Sequence, residues 1–200
     1  MCDPSLLLFD LGGVLIENST FKRLNHLVGE LKDFDALKQL WLASPSVRRF
    51  ELGEGSPYEF AVSFIAEWNI SLSPEAFLEE FYSWPSDFYP EARNTIHSLR
   101  QNYRVGCLSN SNVLHWEKFG GFKDDFDIAI SSHQLGAIKP DEEAFLKALE
   151  TCSVKPSEVY FFDDSIENIY TANSLGIQAF HVDGFDSLLN VLREEKLFPD

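Results

Sequence analysis

Five short, largely apolar runs are distributed along the chain, and each has the length of a strand. The runs lie at 6–9, 104–108, 128–130, 159–162 and 179–182. An apolar run of this length that ends in polar or turn residues is typical of a strand buried on both faces of a parallel sheet. The pattern therefore predicts five buried strands.

Segments with helical periodicity alternate with the later strands. We predict helices at 91–102, 142–151 and 166–175, and a last helix from Ser187. Asp141 stands where a residue would cap 142–151, and Gly176 follows 166–175 as a stop signal. Strands that alternate with helices imply right-handed crossovers between parallel strands. The predicted fold class is therefore α/β, with a doubly wound parallel sheet.

A helical block separates the first strand from the second. Phe60, Phe64 and Trp68 share one face of a helical pattern, and Ser-Pro pairs at 56–57 and 73–74 are typical helix starts. Prolines 85 and 90 then mark a boundary. We expect a small all-helical cap at 17–87, inserted after the first strand, and an α/β core made of 1–16 and 88–200.

The charge balance is strongly acidic. The 32 Asp and Glu residues against 16 Lys and Arg give a formal net charge of −16. Such a surface repels nucleic acid and anionic membranes, so we expect neither as a partner. No apolar run reaches the ~20 residues that a membrane helix requires. An anionic substrate would then need a locally positive site, which a divalent cation and a well-placed lysine would provide.

The three cysteines indicate a reducing compartment. Cys2, Cys107 and Cys152 are widely separated and lack metal-ligand spacing. Residues 1–5 lack the basic start of a signal peptide. We expect a cytoplasmic protein, for which a monomer and a homodimer both remain open.

Polar side chains follow the predicted strands at the points where the strands end. Asp10 follows the first, Ser109 and Asn110 the second, and the adjacent pair Asp163 and Asp164 the fourth. Ligands bind outside the carboxyl ends of parallel strands, so these groups should meet at one edge. Two adjacent carboxylates repel each other unless a cation neutralises them, and Mg²⁺ prefers oxygen ligands. The pattern therefore predicts a magnesium site at this edge.

These motifs together resemble those of the haloacid dehalogenase-like hydrolase superfamily. The segment 9–15 (Phe-Asp-Leu-Gly-Gly-Val-Leu) is similar to its first motif, 108–110 to the second, Lys139-Pro140 to the third and 162–168 to the fourth. The resemblance covers most of the chain. It implies a Rossmann-like core with a helical cap, and it is closest to sugar-phosphate phosphatases that carry Gly in the first motif.

The resemblance implies a Mg²⁺-dependent phosphatase that hydrolyses a small soluble phosphate monoester, with a sugar phosphate as one candidate. Asp10 would be the nucleophile and would form an aspartyl-phosphate intermediate. The other implied roles are metal binding by Asp10, the main-chain carbonyl of Gly12 and Asp164, with Asp163 or Asn168 in support, and phosphate binding by Ser109, Asn110 and Lys139. Ser109 and Lys139 are thereby also implied in catalysis.

One position departs from the family pattern. Phosphatases of this superfamily usually carry a second aspartate, a proton donor, where this chain has Gly12. Glu17 and Glu51 are substitute candidates, and a substrate with a good leaving group would need no donor. Two alternatives remain open: a non-catalytic or weakly active ligand-binding protein, and a 2-haloacid dehalogenase, against which the Asp163-Asp164 pair argues. Trp84, near the cap boundary, is a further candidate for substrate contact.

Overall fold

The computed structural model describes residues 4–17, 19–29 and 33–198. Cys2 lies outside the described residues. The strands are β1 Leu6–Phe9, β2 Arg104–Ser109, β3 Ile128–Ser131, β4 Val159–Asp163 and β5 Gln178–His181. The helices are α1 Thr20–Leu27, α2 Phe34–Ala43, α3 Pro45–Glu51, α4 Pro57–Trp68, α5 Pro74–Tyr82, α6 Ala92–Leu99, α7 Val113–Lys118, α8 Ser132–Leu135, α9 Glu142–Cys152, α10 Ile166–Ser174 and α11 Phe185–Glu194.

The five strands form one parallel sheet in the order β3-β2-β1-β4-β5. The predicted fold class is therefore confirmed. Alternate residues of β1 face opposite sides: Leu7 and Phe9 join the layer that contains α6 and α11, whereas Leu6 and Leu8 join the layer that contains α9 and α10. Because both faces are covered, the strand is apolar throughout, and β1 occupies the centre of the sheet.

The helices α1–α5, which we call the helical cap, pack around an aromatic core of their own. Phe60, Phe64, Phe77 and Phe81 are all buried in it. The predicted helix starts are confirmed, because the hydroxyls of Ser56 and Ser73 accept hydrogen bonds from main-chain N–H groups of the first turns of α4 and α5. The division of the chain into core and cap at 17 and 87 stays a prediction.

Three predictions about helix ends differ from the structure. The helix predicted at 91–102 ends at Leu99. Asp141 is the N-cap residue of α9, but its side chain pairs with Arg48 of the cap and caps no N–H group. The last helix begins at Phe185, two positions before Ser187, because Gly184 with its positive φ of 83° turns the chain into it. None of the helices in the described part of the chain combines the length and apolar character that a bilayer crossing requires.

His115 of α7 is a half-buried contact between the core and the cap. Its Nε2–H donates to the main-chain oxygen of Phe81 at 2.8 Å, and its ring stacks on that of Phe81 with 4.3 Å between centroids. The Asn112 side-chain amide lies 3.2 Å from Nδ1. Burial lowers the pKa of His115 to about 4, so the imidazole is neutral at physiological pH.

We expect this contact to make the protein sensitive to mild acid. The unfolded chain binds a proton on His115 near its ordinary pKa of 6.5, whereas the folded chain does so only near 4. The free energy of unfolding should therefore fall by up to about 3 kcal/mol for this group as the pH drops from 7 to 4. Urea denaturation across this range would measure the fall. His115→Gln should reduce the slope, whereas the exposed-site variant His97→Gln should keep it; equal slopes in all three proteins would contradict the prediction.

Candidate active site

The carboxyl ends of β2, β1 and β4 bring three predicted site residues side by side. Phe9, the last residue of β1, pairs with Cys107 on one side and with Phe162 on the other. Asp10 is therefore the first residue beyond the central strand, and its N–H donates to the main-chain oxygen of Phe162 at 2.8 Å. Ser109 and Asp163 end the two neighbouring strands. The topology thus places these three side chains at one edge of the sheet.

Lys139 connects two of the carboxylates. Its ammonium Nζ donates to Oδ1 of Asp10 at 2.9 Å and to Oδ2 of Asp163 at 2.6 Å. The side chain is only 2% exposed. Burial disfavours the ammonium charge, but the two carboxylates more than offset this and raise the pKa of Lys139. The lysine is therefore a fixed cation at the strand ends.

Asn110 fixes the main chain at Lys139. Its Nδ2 donates to the main-chain oxygen of Lys139 at 2.8 Å, and its Oδ1 accepts from the main-chain N–H of the same residue at 2.9 Å. Both ends of the side-chain amide are engaged in this way. The loop between α8 and α9 is thereby tied to the loop after β2, which sets the direction from which Lys139 enters the site.

Asp163 lies beneath the site and is fully buried. Its oxygens accept hydrogen bonds from Lys139, from the main-chain N–H of Ser165 at 2.8 Å and from Asn168 Nδ2 at 2.9 Å to both oxygens. These donors satisfy most of the acceptor capacity of the carboxylate. Asp163 and Asn168 therefore hold each other and Lys139 in place.

Asp164 completes a cluster of three carboxylates. One oxygen from each of Asp10, Asp163 and Asp164 lies within 4.8 Å of the others. Burial raises the pKa of both Asp10 and Asp164, and the charges of the neighbouring carboxylates raise both further. Lys38 of the cap approaches Asp164 Oδ2 at 4.0 Å. With three acids around one buried ammonium, the donor set fits a divalent cation.

Gly13 leaves room for Asp164. Its φ of +78° is one that residues with a side chain rarely adopt, and an added Cβ would come within 2.8 Å of Asp164 Oδ2. The second glycine of the first motif is thus required for two reasons: its backbone has a positive φ, and a side chain here would collide with Asp164. The neighbouring Gly12 carries no side chain toward the site.

Most of the predicted site residues line one cavity of about 480 Å³. Its lining includes Asp10, Gly12, Ser109, Asn110, Lys139, Asp164 and Asn168, while Asp163 lies behind this wall. Ser109 is buried, and among the described residues its hydroxyl has only the main-chain oxygen of Asn110, 3.5 Å away in its own turn, as a hydrogen-bond partner. The helical cap supplies the opposite wall with apolar and charged groups, namely Phe21, Lys38, Trp41, Leu42, Val47, Arg48 and Glu51.

The structure places the three remaining candidates from the sequence, Glu51, Glu17 and Trp84, in different surroundings. Glu51 is buried and lines the cavity. Glu17 lines the cavity but is exposed to solvent. Trp84 is fully buried in the cap core against Phe81 and is absent from the cavity lining, so the expectation that it contacts substrate is wrong.

Sequence reasoning missed Lys38 and Trp41 of α2. Both line the cavity, although they stand in the cap, far along the chain from every motif. Their periodicity predicts a helix, but nothing local indicates which face meets the core. Their place depends on how the cap packs over the strand ends.

Comparison with known proteins agrees with this arrangement. The family model described as haloacid dehalogenase-like hydrolase matches residues 4–176. A phosphatase of Mycobacterium tuberculosis, MT3486, is 31% identical over 100 residues, which are 48% of this chain and 46% of that protein. The glyceraldehyde 3-phosphate phosphatase of Methanothermobacter thermautotrophicus is 25% identical over 181 residues, covering 88% of this chain and 73% of that one.

A solved structure is similar over nearly the whole chain. It is the family enzyme bt-2542 of Bacteroides thetaiotaomicron in complex with magnesium and inorganic phosphate, with a TM-score of 0.73 and 25% identity. The match covers 90% of this chain and 94% of that one. By contrast, the match spans less than half of the length of the M. tuberculosis phosphatase.

Proposed function

Because this chain belongs to the haloacid dehalogenase-like hydrolases, we propose that it is a Mg²⁺-dependent phosphatase that hydrolyses a small phosphate monoester through an aspartyl-phosphate on Asp10. The observation that carries the proposal is the buried ammonium of Lys139 between Asp10 and Asp163, with Asp164 beside them. This arrangement places a buried ammonium beside a carboxylate nucleophile at one end of the cavity, and a divalent cation bound by the acids would supply the further positive charge that phosphoryl transfer requires. The phosphatases named among its relatives support the same chemistry.

The acidic residues fit a magnesium ion. Asp10, Asp164 and the main-chain carbonyl of Gly12 would hold it. Burial is the main cause that raises the pKa values of the two carboxylates, repulsion from neighbouring acids adds to it, and a bound cation would offset both. The hydrogen bonds of Asp163 and Asn168 suit these two residues to orienting Lys139. When bound, Mg²⁺ neutralises charge on the transferring phosphoryl group and on its nucleophile.

Side chains of the protein supply the nucleophile and the hydrogen bonds to the phosphoryl group. Lys139 binds Oδ1 of Asp10, so we assign the attack on phosphorus to Oδ2. The Lys139 ammonium and the Ser109 hydroxyl donate hydrogen bonds to the phosphoryl oxygens. Asn110 keeps Lys139 in position through its main chain, and a phosphate contact of its own stays a prediction.

The cap limits the substrate to a small molecule. A cavity of about 480 Å³ lined by Phe21, Trp41 and Leu42 on one wall accommodates a phosphate ester with a compact organic group. Lys38 and Arg48 add cations on the same wall, which suits an organic group with polar or anionic character. A sugar phosphate meets this description, and closure of the cap would exclude water.

Hydrolysis assays with and without metal test the proposal. We expect release of phosphate from p-nitrophenyl phosphate and from at least one of a panel of sugar phosphates in the presence of Mg²⁺, and loss of this release in EDTA. Mg²⁺ in excess of the chelator should restore it. Asp164→Asn should lose the response to Mg²⁺, whereas Asp183→Asn, an exposed acid outside the cavity lining, should retain it. No phosphate release from a folded protein that binds Mg²⁺ by calorimetry would contradict the phosphatase and favour a binding protein.

We further propose that the protein works in the cytoplasm. The free and buried thiols of Cys107 and Cys152 support this location. A formal net charge of −16 argues against nucleic acid and anionic membranes as partners. A monomer and a homodimer are both compatible with the proposed chemistry.

A further inference from the structure

Hydrolysis of an alkyl phosphate requires a proton for the departing oxygen. An alkoxide is a poor leaving group, and a positioned acid contributes roughly 10²–10⁴-fold to such a step. The group that supplies it must reach the cavity beside Asp10, and it must carry a proton at neutral pH.

Most titratable groups that line the cavity already form ion pairs or hydrogen bonds with other groups of the protein. Lys139 is held by two carboxylates, and Asp141 pairs with Arg48. His115 is neutral and gives its ring N–H to the main-chain oxygen of Phe81. Glu167 accepts a hydrogen bond from Ser165, which lowers the pKa of its carboxyl. None of these groups is suited to donate a proton to a leaving oxygen.

Glu51 differs from all of them. It ends helix α3 of the cap, is 8% exposed and lines the cavity opposite the strand ends. The side chain of Trp41, itself a lining residue, donates a hydrogen bond to its carboxyl. Burial is the main cause that raises the pKa of Glu51 to about 8, with a smaller contribution from Asp10. Because burial is the larger cause, the pKa of Glu51 would stay raised even if a cation neutralised Asp10.

We propose that Glu51 is the general acid and base of the reaction and gives its proton to the oxygen that leaves phosphorus. The inference rests on the proposed phosphatase function and deepens it. In the first step a carboxylate oxygen of Asp10 forms a bond to phosphorus, the bond from phosphorus to the ester oxygen breaks, and the Glu51 proton moves to that oxygen, so an alcohol departs. In the second step the Glu51 carboxylate takes a proton from water as the water oxygen bonds to phosphorus and the bond to Asp10 breaks, which releases phosphate.

The placement also links catalysis to the cap. The nucleophile belongs to the core, whereas the proton donor belongs to a cap helix. The two come together only when the cap lies over the strand ends, as it does here. An ester that holds the cap closed would therefore be hydrolysed faster than one that does not.

Comparing leaving groups separates this role from a structural one. Glu51→Gln preserves the shape of the side chain and an oxygen to accept from Trp41, but it carries no transferable proton. We expect kcat/KM for an alkyl phosphate to fall by about 10²-fold or more. For p-nitrophenyl phosphate, whose leaving group departs without a proton, we expect a fall of only a few-fold. Glu17→Gln is the matched control, and we expect it to show no selective loss.

The possible outcomes are distinct. Equal losses with both esters, no loss with either, or a selective loss in Glu17→Gln in place of Glu51→Gln would overturn the assignment. If wild-type protein hydrolyses neither ester, the phosphatase proposal itself fails and takes the assignment with it. If Glu51→Gln does not fold, Trp41→Phe provides a second test. It removes the indole N–H that orients Glu51, so it should give a smaller loss with the same selectivity for the alkyl ester, and an equal effect on both esters would overturn the assignment.

Discussion

Replacing Asp10 with Asn is expected to abolish phosphate release while leaving the protein folded. The amide oxygen of Asn is a far weaker nucleophile than a carboxylate, so we expect kcat to fall by at least about 10³-fold, even for p-nitrophenyl phosphate. Steady-state assays at saturating Mg²⁺ would measure the loss. Because Asp10 supplies the attacking atom, the loss should be independent of the leaving group, unlike the loss expected for Glu51→Gln.

Stability should change little in this variant. Lys139 keeps its 2.6 Å contact with Asp163, so the buried ammonium retains a carboxylate partner. Removing one of three crowded acids also relieves repulsion, and we expect the free energy of unfolding to change by no more than about 1 kcal/mol. Asp125→Asn is a matched control, because Asp125 is a buried acid that pairs with Arg93 outside the cavity lining; it should retain wild-type kcat. An Asp10→Asn protein with a tenth or more of wild-type activity would rule out Asp10 as nucleophile.

Lys139→Met should have a large effect on both stability and activity. The variant leaves the fully buried Asp163 without its cation, and removing one partner of a buried pair costs about 3–5 kcal/mol. Activity should also be lost, because the ammonium proposed to hold the phosphoryl group is gone. Chemical denaturation in EDTA would measure the stability change without compensation by a metal ion.

A double substitution distinguishes the two effects. Lys139→Met combined with Asp163→Asn removes the unpaired charge, so it should recover part of the lost stability but none of the activity. Lys147→Met is the matched control, since Lys147 forms a solvent-exposed pair with Glu143 that should contribute less than about 1 kcal/mol. A loss below 1 kcal/mol in Lys139→Met would show that Asp163 does not depend on this lysine.

The strands were predictable because a strand buried on both faces of a sheet is apolar at consecutive positions, and such runs are visible in the sequence. The predicted run 6–9 coincides with β1, and the others agree to within one residue at each end. The meeting of Asp10, Ser109 and Asp163 followed from a general property of parallel sheets and needed no knowledge of side-chain packing. The predicted roles of these residues are not tested by their placement.

What the sequence could not provide depends on contacts between distant segments. The hydrogen bonds of Asn110 to the main chain of Lys139 require two loops to meet, and no local pattern indicates which donors face each other. Asp141 occupies the expected N-cap position, yet Arg48 from the cap binds its side chain. The packing of the cap decides in the same way that Glu51 lines the cavity and that Trp84 is buried away from it, although the sequence made both candidates for a place beside the substrate.

The position of the cap between β1 and β2 bears on how the chain folds. Leu8 pairs with Gly106 of β2 and with Phe161 of β4, so α1–α6 separate the central strand from one neighbour along the chain, and α1–α9 separate it from the other. Closing so long a segment is entropically costly and slows folding. The aromatic core of the cap relies on contacts within that segment, so it can form first and shorten the effective loop. Asp10, Lys139 and Asp163 would then meet in one of the last events, and species that retain helix but lack the paired sheet should have no capacity for catalysis.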